Sequence, residues 1–249
     1  MHLDTKDSLR GEAARVEQTA GISLYIHIPF CQSKCGYCDF NSFGGLGELI
    51  PKYVDALTRE LQLRSGDGSQ RVSTIYFGGG TPSLLTAAQI AGIIDACRHC
   101  FAVDRDAEIS VEGNPGSITL EWLRVIRDAG VDRVSLGFQS LNDAELVLLG
   151  RIHSVRQAME AYAMARGSGF QNVNIDLIYG LPGQSLHQWQ ETLRRAVALS
   201  PEHFSLYPLT IEETTPLGRA VETGAVPAPD PDVAAEMYIW AEQMLEAAE

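Results

Sequence analysis

Six short runs rich in β-branched and aromatic residues alternate with segments of helical periodicity along this chain of 249 residues. Each run ends at Gly, Pro or a polar residue, as strands of a buried sheet do. The runs cover residues 22–28, 73–77, 108–111, 133–138, 172–178 and 203–207. Because helical segments lie between the predicted strands, the strands are expected to be parallel and joined by right-handed crossovers. The sequence therefore predicts an α/β fold.

The number of predicted strands decides between two α/β architectures. An eight-stranded barrel takes about 250 residues, whereas residues 1–20 are polar and are predicted to form an N-terminal tail. Residues 21–249 contain no strong linker and are interpreted as one domain, a partial (β/α)6 TIM-like barrel. A doubly wound open sheet is the alternative. In both architectures ligands bind at the carboxyl ends of the strands.

Two predicted helices begin with capping signals. Thr86 precedes the helix 87–101, and Asn142 precedes the helix 143–149. Gln89 and Glu145 stand three residues after these N-cap residues. The spacing predicts a reciprocal capping box at each helix start.

Composition and charge exclude two classes of partner. The chain has 19 basic and 32 acidic residues, a formal net charge of -13, so it lacks the broad cationic surface that nucleic acid requires. No stretch approaches the roughly 18 apolar residues of a membrane span, so the protein is expected not to be transmembrane. The first twenty residues contain no apolar signal region, which predicts a cytoplasmic protein with reduced cysteines.

Three of the five cysteines are closely spaced. Cys31, Cys35 and Cys38 form a C-x3-C-x2-C pattern directly after the first predicted strand. Three thiolates on one loop can hold three corners of a [4Fe-4S] cluster, whereas a closed electron-transfer cluster normally has four cysteine ligands. The pattern therefore predicts a cluster with one iron open to a non-protein ligand.

Structural zinc is the competing metal interpretation, because Cys97 and Cys100 could supply a second cysteine pair. Both residues lie on the apolar stripe of their predicted helix. They are therefore predicted to be buried core thiols rather than ligands. His27 is predicted to be a packing or hydrogen-bonding residue for a similar reason.

The loop and several later segments together resemble one protein family. The segment 24–31, Leu-Tyr-Ile-His-Ile-Pro-Phe-Cys, resembles the radical S-adenosylmethionine (SAM) superfamily, in the branch of oxygen-independent coproporphyrinogen III oxidase and its haem-chaperone relatives. The signatures that follow in order are Tyr-Phe-Gly-Gly-Gly-Thr-Pro-Ser at 76–83, Val-Glu-Gly-Asn-Pro at 111–115, Arg-Val-Ser-Leu-Gly-Phe-Gln-Ser at 133–140, Gly-Arg-Ile-His at 150–153 and Asn-Ile-Asp-Leu-Ile-Tyr-Gly-Leu-Pro-Gly-Gln at 174–184. The resemblance covers residues 21–249.

The resemblance implies that Cys31, Cys35 and Cys38 hold a [4Fe-4S] cluster and that SAM binds its open iron, where reduction can cleave it. A run of glycines lets backbone approach a ligand, carboxylates accept hydrogen bonds from an ammonium group or a ribose, and arginine pairs with a carboxylate. The residues that the resemblance assigns to the cluster and SAM side are Tyr25, Tyr37, Gly79, Gly80, Thr81, Glu112, Gln139, Arg151 and Asp176.

Phe40 separates the two branches of the family. The porphyrinogen oxidases carry a fourth cysteine two residues after the third, where this sequence has Phe40, as the haem-chaperone branch does. The resemblance therefore implies a haem-binding protein that transfers haem to acceptor proteins, with a coproporphyrinogen III oxidase in porphyrin biosynthesis as the alternative. The family continues into a C-terminal haem-chaperone domain after a segment like 241–249, so the resemblance implies that the sequence lacks this domain, either as a fragment or as a chain that has lost part of its function. An uncovered last strand is expected to lower the stability.

Overall fold

The computed structural model describes residues 21–248, and these form a six-stranded parallel sheet with helices on its outer face. The sheet has the order β1-β4-β5-β6-β7-β8, and β2 pairs with β3 separately. The strands are β1 Ile22–Ile28, β2 Phe30–Cys31, β3 Phe43–Gly44, β4 Arg71–Gly79, β5 Ala102–Gly113, β6 Arg133–Gln139, β7 Asn172–Tyr179 and β8 His203–Pro208. Within residues 21–248, β1 and β8 are the two edges of the sheet, so the barrel is partial, as the sequence predicts.

Helices follow the sheet strands and cover their outer face. They are α1 Ile50–Arg64, α2 Ala87–Cys100, α3 Leu120–Asp128, α4 Asp143–Leu148, α5 Val155–Gly167, α6 Leu186–Val197, α7 Pro216–Glu222 and α8 Pro231–Glu246. None of the helices in this part of the chain is long and apolar enough to cross a membrane. The prediction of one parallel α/β sheet over the six runs is confirmed.

The two faces of the sheet differ in polarity, and β6 shows this most clearly. Val134, Leu136 and Phe138 point to the helices and are buried in the core. The alternate residues Gly137 and Gln139 point to the inner face of the half barrel and line a cavity. Side chains alternate between the faces with a period of two, so the helices cover an apolar face while the inner face stays polar.

The capping predictions have different outcomes. At the start of α2, the Thr86 hydroxyl accepts from the backbone N–H of Gln89 and the Gln89 side chain accepts from Thr86, which confirms the capping box. The box predicted at α4 is wrong. Asn142 accepts from the N–H of Ala144, while the buried Glu145 carboxylate turns away. It accepts hydrogen bonds from Ser140 and Gln184 instead.

The glycine run belongs partly to β4 rather than to the loop after it. Gly78 and Gly79 continue the strand and pair with His27 and Ile28 of β1. The strand ends at Gly79, whose φ of 115° lies in the region that favours glycine. The loop predicted to begin at residue 78 therefore begins at Gly80.

Candidate functional site

The three clustered cysteines lie on a loop that closes on itself. The short parallel pair β2 and β3 joins Phe30 to Phe43 and Cys31 to Gly44. Within the loop, the ammonium group of Lys34 donates to the carbonyl oxygens of Phe40, at 2.9 Å, and Ser42, at 3.2 Å. The loop is therefore held by its own backbone and by the side chain of one exposed lysine.

Three contacts fix this loop to the rest of the fold. His27 of β1 shares a hydrogen bond with the carbonyl of Asn41 at 2.8 Å, which confirms its predicted hydrogen-bonding role. The N–H of Gly36 donates to the carbonyl of Leu149 after α4, at 3.0 Å. The carbonyl of Gly36 accepts from the N–H of Leu217 in α7, at 2.8 Å. Three separate elements thus position the cysteines.

The loop forms one wall of a cavity of about 500 Å³ at the carboxyl ends of the strands. The predicted site residues that line it are Cys31, Cys35, Cys38, Tyr37, Gly79, Gly80, Thr81, Glu112, Gln139, Arg151 and Asp176. Tyr25 is the exception: its ring is 58% exposed and stacks on Tyr76, with the ring centroids 6.0 Å apart. Tyr25 therefore reaches the cavity only through Tyr76, which does line it.

Glu112, at the end of β5, is oriented by two donors. The Tyr76 hydroxyl donates to Oε1 at 2.8 Å, and the backbone N–H of Gly79 donates to Oε2 at 3.2 Å. Burial raises the pKa of the Glu112 carboxyl to about 7, and the nearby Asp176 adds to this rise. The Glu112 carboxyl is thus fixed by two hydrogen bonds, and with this pKa it gains or loses a proton near neutral pH.

Asp176 of β7 lies inside a polar network that joins three strands. Its carboxylate accepts from Ser135 of β6 at 2.9 Å and from the Asn174 amide at 2.7 Å. The Asn174 carbonyl in turn accepts from Ser205 of β8. The pKa of Asp176 lies above its ordinary value, because burial raises it by more than these hydrogen bonds lower it. The network fixes the carboxylate on the inner face of the half barrel.

Arg151 follows α4 and reaches the cysteine loop across the cavity. Its Nη2 donates to the carbonyl of Gly137 at 2.8 Å, and its Nη1 lies 3.5 Å from the Cys35 Sγ. A Cβ added at Gly137 would lie 3.3 Å from Nη2 and 2.9 Å from the Gln139 amide. Glycine at this position therefore leaves room for both side chains.

The residues fit a cluster with a small polar ligand. Among residues 21–248, no three His, Cys, Asp or Glu side chains converge on a point where a single ion would bind. A cluster needs no such convergence, because each thiolate ligates a different iron. The buried Nε of Arg151 has no hydrogen-bond partner among these residues, so the cavity offers a donor to an anionic group. Cys97 and Cys100 are buried in the core, as predicted.

Several cavity residues were not predicted from the sequence. They are Tyr76, Asn114, Ser135, Tyr207 and Glu212. Tyr76 and Ser135 lie inside strands β4 and β6. Each is two residues before a glycine of the same strand, so each side chain points to the inner face of the half barrel, as the glycine position does. The period of two, applied to β4 and β6 from Gly78 and Gly137, is the signal that would have found them.

The comparisons with known proteins agree with this geometry. Residues 25–196 match the family model described as the radical SAM superfamily. A protein named heme chaperone HemW from Mycobacterium tuberculosis is 42% identical over 229 residues, which cover 90% of this chain and 59% of the relative. A mouse protein named radical S-adenosyl methionine domain-containing protein 1, mitochondrial, is 39% identical over 239 residues, covering 93% and 53%.

A solved structure matches over most of the described fold. The coproporphyrinogen III oxidase HemN from Escherichia coli, described as a radical SAM enzyme, superposes with a TM-score of 0.83 at 32% identity. The match covers 92% of this chain and 53% of the oxidase. The chain therefore spans between half and three fifths of the length of these three proteins.

The family implies a [4Fe-4S] cluster and SAM as ligands, and the half barrel with three cysteines at its mouth is the fold that carries them. The chain belongs to the radical SAM superfamily.

Proposed function

We propose that this chain is the cluster- and SAM-binding part of a haem chaperone, a protein that binds haem and transfers it to acceptor proteins. The observation that carries the proposal is the cavity in which three thiols of one loop face the polar carboxyl ends of β4 to β7. The identity to proteins named heme chaperone supports the assignment of the haem function. Because the chain spans only part of those relatives, haem binding and transfer are proposed for the whole protein.

In this proposal Cys31, Cys35 and Cys38 hold the cluster at the mouth of the half barrel. The loop presents all three thiols to the cavity, and its anchors at Leu149 and Leu217 keep them there. A bound cluster would supply one electron at a time to SAM held against its open iron. Residues 21–249 then form the radical SAM core domain.

The opposite wall is proposed to bind SAM. Glu112 offers a carboxylate to the SAM ammonium group, and the Arg151 guanidinium pairs with the SAM carboxylate. Asp176 and Gln139 bind ribose hydroxyls. The backbone at 79–81 and the Tyr37 ring, which packs beside Leu149, complete the pocket. Tyr25 supports it through its stack on Tyr76.

Phe40 favours the haem chaperone over the oxidase. It stands at the position where the resemblance places a fourth cysteine in the oxidases, and its side chain is 66% exposed at the mouth of the cavity. An apolar ring cannot provide a thiol at that point. The second candidate, a coproporphyrinogen III oxidase, is favoured by the close superposition on the Escherichia coli enzyme.

One experiment tests the cluster and SAM sites first. The protein is reconstituted anaerobically with iron and sulfide, reduced, and examined by electron paramagnetic resonance with and without SAM. We expect a [4Fe-4S] signal that changes when SAM is added, and no signal in a Cys35→Ala variant. Stoichiometric zinc binding without a cluster would contradict the proposal.

A second measurement separates the two candidate functions. Haem titration and a 5′-deoxyadenosine assay with coproporphyrinogen III are run on the reconstituted whole protein, of which this chain is the cluster- and SAM-binding part. The chaperone proposal predicts a saturable haem spectrum and no porphyrinogen turnover. Turnover of coproporphyrinogen III would support the oxidase instead.

A further inference from the structure

Two of the three clustered thiols receive a hydrogen bond from a cavity side chain. The Thr81 hydroxyl donates to Cys31 Sγ at 3.6 Å, and Arg151 Nη1 donates to Cys35 Sγ at 3.5 Å. Sulfur acceptors are large, and donor distances in this range are normal for them. The two donors come from different parts of the fold, since one follows β4 and the other follows α4.

The Arg151 donor is fixed before any ligand arrives. Its second Nη donates to the Gly137 carbonyl at 2.8 Å, and its backbone N–H donates to the carbonyl of Leu146 at 2.9 Å. Because Gly137 has no side chain, the guanidinium has room to lie against its carbonyl. A guanidinium that donates to a carbonyl, on a backbone that is itself hydrogen-bonded, does not need to reorganise when the charge on a neighbouring thiolate changes.

We infer that Arg151 and Thr81 are positioning residues that raise the reduction potential of the [4Fe-4S] cluster through their hydrogen bonds to the thiolates of Cys35 and Cys31. The inference rests on the proposed function, because it places the cluster on these cysteines. Reduction adds one electron to a cluster that is already anionic. Hydrogen bonds to the sulfur atoms stabilise the reduced state, and so does a nearby positive charge.

The two donors are expected to differ in effect. Arg151 brings a full positive charge to the thiolate, whereas Thr81 brings a neutral hydroxyl dipole. Charge-assisted hydrogen bonds are stronger than neutral ones. The loss of Arg151 should therefore lower the potential more than the loss of the Thr81 hydroxyl.

The test is a potentiometric titration of the reconstituted protein, followed by electron paramagnetic resonance in the absence of SAM. Four variants are compared with the parent chain: Arg151→Met, Arg151→Lys, Thr81→Val and Thr81→Ser. We expect the midpoint potential to become more negative in Arg151→Met and, by a smaller amount, in Thr81→Val. Arg151→Lys should fall between Arg151→Met and the parent. Thr81→Ser keeps the hydroxyl and should titrate like the parent.

Iron and sulfide content is measured before each titration, which separates failure of the inference from failure of the proposed function. If the parent chain takes up no cluster, both fail. If the parent is loaded and both Arg151→Met and Thr81→Val titrate at its potential, only the inference is overturned. If Arg151→Met takes up no cluster, the midpoint potentials of Thr81→Val and Thr81→Ser are compared instead. Equal potentials in these two variants overturn the inference.

Discussion

Burial separates the five cysteines into two chemical groups. Cys31, Cys35 and Cys38 are partly exposed at the cavity, whereas Cys97 is fully buried on α2. Burial raises the pKa of the Cys97 thiol to about 12, so it stays protonated at neutral pH. Burial also raises the pKa of the Cys38 thiol, so access to the cavity rather than the pKa separates the two groups.

This difference predicts opposite effects of two single substitutions. Cys97→Ala should leave the iron content of the reconstituted protein unchanged and lower the free energy of unfolding by about 1 kcal/mol, through the loss of packing around one small side chain. Cys35→Ala should abolish iron binding. Iron analysis and urea unfolding of both variants measure this. Iron loss in Cys97→Ala would contradict the core assignment.

Glu112 should make the stability of the cluster-free protein depend on pH. Its pKa is about 7 in the fold because of burial, so between its ordinary value and pH 7 the folded state binds more protons than the unfolded state. The free energy of unfolding then falls as pH rises through this interval, by up to about 3 kcal/mol. Glu112→Gln removes this contribution.

Urea unfolding of the parent and of Glu112→Gln at pH 5 and pH 8 measures the effect. The parent should lose more stability between these pH values than the variant does. Glu236→Gln, at an exposed position of α8, serves as the control and should follow the parent. Equal pH dependence in all three proteins would show that the Glu112 carboxyl is not desolvated as the structure indicates.

At the residue scale, motif position predicted the cavity lining well but predicted contacts poorly. Glu112 and Asp176 stand near strand ends in the sequence, and strand ends converge in a parallel sheet. The Tyr76 hydroxyl donates a hydrogen bond to Glu112, and the Ser135 hydroxyl donates one to Asp176. Both contacts depend on which residues of neighbouring strands lie side by side. That register is fixed by packing across the whole sheet, and a single sequence does not contain it.

At the scale of the element, the start of α2 offers a clean test of the capping box. Thr86 and Gln89 each accept a backbone hydrogen bond from the other. Thr86→Ala removes one of these bonds and should lower the free energy of unfolding by about 1 kcal/mol. Thermal or urea unfolding measures the change, and Thr86→Ser, which keeps the acceptor, should restore most of it. A neutral Thr86→Ala would contradict this role.

Element bounds were predicted where apolar runs end sharply and missed where they do not. β1 begins and ends at the predicted residues. Its end is sharp because Pro29 follows directly. β5 extends from Ala102, six residues before the predicted start, through the charged segment 104–108. The polar residues there fail the apolar test for a strand. They nevertheless belong to the strand because β5 pairs with β4 on both sides of them. Val103 pairs with Val72 and Glu108 pairs with Thr74, and the register shifts between these two pairs.

At the scale of the whole molecule, the alternation of strands and helices predicted a parallel sheet, and the choice of a partial barrel over a doubly wound sheet predicted the order of its strands. Each crossover places the next strand beside the last one, which gives the sequential order β4 to β8. β1 lies beside β4 as consecutive strands of the predicted barrel do, although the cysteine loop, its small sheet and α1 intervene. The loop's closure therefore could not be predicted from strand periodicity alone.

The same loop links distant parts of the chain and predicts a pattern of amide protection. Gly36 accepts from Leu217 and donates to Leu149, so the loop, the end of α4 and the start of α7 share one hydrogen-bonded node. A cluster that immobilises the cysteines should suppress opening of the node as a unit. Amide exchange should then slow at Gly36 and Leu217 together, while Ala247, at the exposed end of α8, exchanges as before.

Hydrogen-exchange mass spectrometry of the reconstituted and cluster-free protein measures this pattern, with Cys35→Ala taken through the same reconstitution as the control. The control should show no added protection at either amide. Protection confined to the cysteine loop would mean that α7 is not coupled to it. Equal protection at Ala247 would contradict the prediction, because the end of α8 can open without the cysteine loop and gains nothing from a ligand held by that loop.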